Sequence, residues 1–208
     1  MLPIETTILF FTTSIILALM PGPDNLFVLT HSALHGFKSG MIVILGLCTG
    51  VFIHTIAVTL GVSVIFQTSQ VAFDILKVIG AVYLLYLAWQ AFKAASTSLD
   101  NKVKTISSAK KLYFRGILMS STNPKVAIFF LAFLPQFADP LNGSITIQML
   151  ILGTMFNVAG FLVFSIVSFF AGHLGEWLKN SQRAQTILNR IAGTIFMGFA
   201  IKLAVSER

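Results

Sequence analysis

Apolar residues in this chain are gathered into long runs, separated by short polar connections. A helix that crosses a bilayer needs about 20 mainly apolar residues, and six segments meet that requirement: residues 4–30, 39–66, 71–92, 113–137, 145–171 and 187–205. One connection is longer than the rest. Residues 93–112 are polar, Ser-rich and basic, and they form the natural division between two halves. The pattern therefore predicts an all-α integral membrane protein of six transmembrane helices. Residues 1–92 would be a first three-helix repeat, 93–112 a basic linker, and 113–208 a second three-helix repeat.

The few polar and small positions inside the runs recur in the same order in both halves. The third span begins with Lys77, Gly80, Tyr83 and Tyr86 at steps of three, and the sixth begins with Arg190, Gly193, Phe196 and Phe199 at the same steps. The first and fourth spans each carry a proline followed by a charge, Pro23-Asp24 and Pro124-Lys125. Chance similarity among apolar helices is the alternative, but the features match in order as well as in identity. Three spans per half is an odd number, so the second copy would be inverted in the membrane. A 3+3 inverted repeat with interrupted helices is the usual architecture of secondary transporters.

The candidate chemistry sits at the two interruptions. Met20-Pro21-Gly22-Pro23-Asp24-Asn25 contains two prolines, which remove backbone donors and clash with the preceding turn. The helix is expected to break there, freeing carbonyls before the break and N–H groups after it. At membrane depth such backbone is tolerated only where it is buried in protein or lines a wet cavity. Asp24 would open the second half-helix, either as a cap at the positive end of its dipole or as a functional carboxylate. The counterpart is Ser120-Ser121-Thr122-Asn123-Pro124-Lys125. Lys125 lies ten residues beyond Arg115, about 15 Å at helical rise, which brings it near mid-depth. An ionised side chain at the centre of a spanning helix costs about 3 kcal/mol on insertion scales, so it is normally paired or solvated and marks a pathway. Asp24 and Lys125 are opposite in sign and matched in repeat position, which predicts that they converge on one central cavity.

A zwitterionic amino acid would suit that pair. Asp24 would receive its ammonium. Lys125, the amide of Asn123 and the N–H groups freed by the breaks, including those around Asn25, would receive its carboxylate. Asp24 as a proton carrier, or the pair as a structural contact, remain alternatives. Pro21, Gly22, Pro23 and Pro124 are the expected helix-breaking residues. His54, Tyr83 and Asn157 are candidates for lining the cavity, although helix-to-helix bonding and aromatic packing are their commoner uses. Gly46, Gly50 and Gly153 are read as packing positions that let helices approach closely.

Composition agrees with the membrane reading: 56% of residues are hydrophobic and 10% charged, against roughly 25% charged in soluble domains. The formal charge of +7 would suggest nucleic acid in a soluble protein, but here the basic residues lie between the apolar spans. Ten Lys and Arg (38, 93, 102, 104, 110, 111, 115, 179, 183 and 190) fall on one side, and three (77, 202 and 208) on the other. By the positive-inside rule the linker is cytoplasmic and both termini face away from the cytoplasm. The N-terminal run lacks a basic n-region and an Ala-x-Ala cleavage site, so it reads as a retained helix. A single cysteine, Cys48, rules out an intrachain disulfide. No His-Glu-x-x-His, Walker loop or cysteine pair is present, so metalloprotease, ATPase and thiol-carrier chemistry lack their residues. No cofactor and no metal site is predicted.

The run from Pro21 through Leu26 to Gly36, with Gly40 and Gly46, resembles the LysE/RhtB family of amino-acid exporters. So do Asn123-Pro124-Lys125, Phe133-Leu134-Pro135-Gln136-Phe137 and Gly80-Ala81-Val82-Tyr83-Leu84. The resemblance covers essentially the whole chain. It implies a bacterial inner-membrane protein that exports amino acids or their derivatives at the expense of the proton motive force. Many members carry asparagine where this chain has Asp24. With Asp24 as the only acidic group expected in the cavity, a neutral substrate of the threonine, homoserine or leucine type fits better than lysine. The expected partners are the amino acid, protons and the bilayer, and a homodimer is compatible with the sequence. Two other classes remain as alternatives. An inorganic cation exporter of the same superfamily would need several carboxylates or thiols at mid-depth. A membrane enzyme or non-transporting subunit would not need the repeat or the paired breaks.

Overall fold

A computed structural model describes residues 2–20, 22–68, 70–93 and 108–171, and between 183 and 201 residues 183, 186, 187, 190, 191, 193, 194, 197, 198, 200 and 201. Pro21 and most of the predicted linker therefore lie outside the described residues. Every regular element among those described is helical.

The first apolar run divides as its prolines predict. Helix α1 spans Ile4–Leu19 and stops where Met20 turns to extended backbone. Gly22 is also extended, and α2 (Pro23–His35) starts with proline at its first position, where a missing N–H costs nothing. α1 and α2 meet at 61°. α2 ends at Gly36, whose φ of +81° lies in the left-handed region that glycine enters without penalty. Helices α3 (Phe37–Thr68) and α4 (Gln70–Lys93) follow. α5 (Ala109–Ser121) begins four residues before the expected start of its span. A helix can continue past the hydrocarbon boundary, so hydropathy marks the span and not the helix end.

The second break comes after α5. α6 (Pro124–Ile128) starts at Pro124 and runs into a π-helical turn, Phe129–Phe133, and then a 3-10 turn, Leu134–Phe137. The angle across this break is 49°. After a short 3-10 turn at Pro140–Asn142, α7 spans Ile145–Phe169. Two helical stretches, Phe37–Gly61 and Ile145–Phe169, are long and apolar enough to cross a membrane unaided, and the count rises to four if each bent pair is one span. The described residues between 183 and 201 are helical as well.

Small residues set the spacing between the helices. A Cβ on Gly46 of α3 would lie 2.2 Å from the Tyr113 carbonyl of α5, and one on Gly116 would lie 2.6 Å from the Val43 carbonyl. The two backbones touch, and nothing there can move aside. A Cβ on Gly50 would lie 2.6 Å from the Ser120 side chain, and one on Gly153 of α7 would lie 2.2 Å from the Thr55 side chain. α7 shows its aliphatic side outward through Val158, Leu162 and Ile166, which suits hydrocarbon rather than water. Inside, rings from three segments interlock. Phe10 of α1 stands edge-on to Phe137 at 5.0 Å, and Phe156 of α7 packs against Phe129 and Phe130 at 5.0 and 5.2 Å. This aromatic cluster fixes α1 and α7 against the second break.

Candidate functional site

The last four carbonyls of a helix have no partner within it, and at the end of α1 they would face the membrane interior. Side chains from after both breaks reach two of them, Leu17 and Ala18, and the Met20 backbone N–H also bonds the Leu17 carbonyl at 3.3 Å. Asn25 Nδ2 donates to the Ala18 and Met20 carbonyls, each at 2.9 Å, and so staples α2 to the frayed end of α1. Lys125 Nζ, from the other half of the chain, donates to the Leu17 carbonyl at 3.2 Å. A cation there also complements the negative end of the α1 dipole.

At the second break Asn123 is the N-cap of α6. Its side-chain oxygen accepts the Lys125 backbone N–H at 3.0 Å, meeting one of the donors that a helix start leaves open. Its Nδ2 then donates to Asp24 Oδ2 at 2.8 Å. The aspartate and the lysine are thus brought together through Asn123, with the ammonium directed at Leu17 and not at the carboxylate. Asp24 is 8% exposed, and its second oxygen, Oδ1, is buried without a hydrogen-bond partner. Leaving a buried acceptor unmet costs about 1–3 kcal/mol, more for a charged group.

Both breaks open onto one cleft of about 580 Å³, a volume that includes its open mouth. Asp24, Asn25, Asn123, Lys125 and Gly22 line it, joined by Asn157. Apart from Ser120 and Cys48, the rest of the wall is apolar, built from Leu47, Val51, Val126, Phe156 and Phe164 among others. Few polar groups, clustered on an apolar wall, can orient a small zwitterion and leave its side chain in a greasy space.

Of the three candidates for lining the cavity, Asn157 lines this cleft, and it also donates to the Cys48 carbonyl at 3.0 Å to tie α7 to α3. His54 and Tyr83 are not among the residues lining it. His54 Nε2 donates to the Ser120 carbonyl at 3.2 Å and supports the end of α5. Tyr83 pairs with Tyr86 along α4, ring centroids 5.9 Å apart. Pro21 lies outside the described residues, while Gly22, Pro23 and Pro124 stand at the two breaks. Sequence reasoning overlooked the Leu17 carbonyl, Cys48, Phe156, Gly160 and Phe164, all in the cleft wall. The available signal was the spacing 156, 160, 164 on one face of α7, together with Asn157. It also passed over His31, fully buried, whose Nδ1 lies 2.9 Å from that of His35. Among the described residues no three His, Cys, Asp or Glu side chains gather as a metal site would need.

The LysE type translocator family profile matches residues 15–207. The chain is 34% identical over 199 residues to the uncharacterized membrane protein YrhP of Bacillus subtilis (strain 168), covering 91% of this chain and 94% of that protein. It is 34% identical over 188 residues to the homoserine/homoserine lactone efflux protein of Salmonella typhi, covering 90% of each. It is 29% identical over 199 residues to the leucine efflux protein of Salmonella choleraesuis (strain SC-B67), covering 95% of this chain and 94% of that protein. No solved structure matches the chain.

Proposed function

Since this chain belongs to the LysE type translocator family, we propose that it is a secondary exporter of neutral amino acids or their derivatives and not an enzyme. In this reading six spans form a 3+3 inverted repeat in a bacterial inner membrane. The 93–112 linker is cytoplasmic, both termini are outside, and inward proton flow drives export. The efflux names of two relatives support the substrate class. The bias of basic residues toward one set of loops supports the orientation.

One observation carries the proposal: an unpartnered oxygen of Asp24 and the ammonium of Lys125 border the same cleft, between two helix breaks. A substrate ammonium would complete the coordination of Asp24 Oδ1. An ammonium has three donors, so Lys125 can keep its bond to Leu17 and still receive a carboxylate. Asn25 has a different part in this scheme from the one its sequence suggested. With its Nδ2 committed to two carbonyls, it holds the break open and leaves only its oxygen to face a ligand. The apolar remainder of the wall favours an uncharged substrate side chain.

The test is efflux of labelled amino acids from proteoliposomes, with and without a pH gradient directed against substrate movement. At least one neutral amino acid should leave faster with the gradient. Asp24→Asn and Lys125→Ala should each slow it by at least about tenfold, since a hydrogen bond to a charged group is worth about 1.5–3 kcal/mol. Wild-type rates in both variants, or movement of metal ions alone, would overturn the proposal.

A further inference from the structure

Glycine weakens a helix interior, and among the described residues most mid-helix glycines repay that by letting another segment come close. Gly46, Gly50, Gly116 and Gly153 all have a neighbour within 3 Å of where a Cβ would be. Gly160 is different. It stands in the middle of α7, yet an added Cβ would meet nothing within 4 Å. It is nonetheless one of the residues lining the cleft. At 100° per residue it lies 40° from Phe156 and 40° from Phe164, on the face they share toward the cleft. The exposed residues Val158 and Leu162 lie on the opposite side of the helix.

The missing side chain therefore leaves room in the cleft itself. We propose that Gly160 sets the upper size limit of the transported side chain, the bare backbone there giving the space that a larger substrate occupies. The inference rests on the exporter reading and adds the residue that measures the substrate. Phe156 is clamped between Phe129 and Phe130 and is not free to swing into the gap. Asn157 is one turn away, about 4.5 Å along the helix, so the space adjoins the polar end of the cleft where the zwitterionic part would bind. A hydrophobic pocket discriminates one methylene by about 10–200-fold at best, which makes a size series readable.

The experiment compares wild type with Gly160→Ala, Gly160→Val and Gly160→Leu in proteoliposomes, using alanine, threonine, valine, leucine and phenylalanine as substrates. The ratio of small- to large-substrate efflux should rise stepwise along the series, by at least tenfold from wild type to Gly160→Leu. Thermal midpoints should hold, because no atom stands in the way of the first added carbon. Gly61→Leu, at an exposed position of α3 where a Cβ also meets nothing within 4 Å, should leave the ratio unchanged. If wild type exports amino acids and the ratio stays flat, or all substrates slow in parallel, the role of Gly160 is overturned and the exporter reading stands. If wild type moves none of the panel, the exporter reading falls and takes this inference with it.

Discussion

Asn123 makes two side-chain bonds at the centre of the site, and the loss of one of them, its donation to Asp24, can be costed. Replacing it with aspartate keeps the shape and the cap, because a carboxylate still accepts the Lys125 backbone N–H. The donor to Asp24 disappears, and two carboxylates now face each other 2.8 Å apart. With an effective dielectric of about 20, their repulsion is about 6 kcal/mol. That is comparable to the whole stability of many proteins, about 5–15 kcal/mol, so the site must relax. If relaxation removes two-thirds of the repulsion, the remaining 2 kcal/mol or so still corresponds to about a thirtyfold loss. The Asp24→Asn/Asn123→Asp double variant reverses donor and acceptor across the same gap and restores the charge balance. Initial efflux rates at equal reconstituted protein, with thermal midpoints as a folding control, form a double-mutant cycle. Asn123→Asp should lose at least about thirtyfold, and the double variant, which still lacks the Asp24 carboxylate, should recover at least about threefold over it. A double variant no better than the worse single one would refute the coupling, and so would an unimpaired Asn123→Asp.

Asn25→Ala removes both bonds that staple the first break; at about 0.6–1.7 kcal/mol for each bond inside a membrane it should cost about 1–3 kcal/mol. Differential scanning of the purified protein should show this as a midpoint lowered by about 3–10 °C, and an unchanged midpoint would contradict the stapling role. Gly46→Ala and Gly116→Ala each force two backbones apart where nothing can yield, at about 1–3 kcal/mol or more. Their midpoints should fall well below that of Gly61→Ala, whose new methyl meets no atom, and equal midpoints for all three would count against the close α3–α5 contact.

The two helix interruptions could be read from the sequence because proline has no N–H to give and crowds the turn before it, whatever surrounds it. The meeting of Asp24 and Lys125 on one cleft was legible for a comparable reason: opposite charges that must enter a bilayer are driven to share a polar place. What joins them was not legible. Asn123 reaches Asp24 across 99 positions, and that geometry depends on how α3, α5 and α7 pack, which local patterns do not encode. Facing was harder still. In a membrane helix the lipid side and the protein side are both apolar, so the amphipathic stripe that orients a soluble helix is missing. This is why Asn157 and His54 looked alike as candidates, although one lines the cleft and the other supports α5 from beside it. The spacing of Gly160 from Phe156 and Phe164 gave its face but not its role, since a glycine that leaves space and a glycine that closes it are the same letter. The π-helical turn after α6 was equally hidden, for its apolar phenylalanines satisfy an unbroken helix just as well.

The bond from Lys125 to the Leu17 carbonyl spans 108 positions, and this bears on how the protein is made. Ribosomes add about 5–20 residues each second, so the end of α1 waits roughly 5–20 s before the lysine that completes it has even been synthesised. Throughout that interval the Leu17 carbonyl has only the long 3.3 Å bond from the Met20 N–H, and its other lone pair is left to water, lipid headgroups or the insertion machinery. Assembly of this transporter is therefore obliged to finish late, with its earliest helix among the last parts to settle.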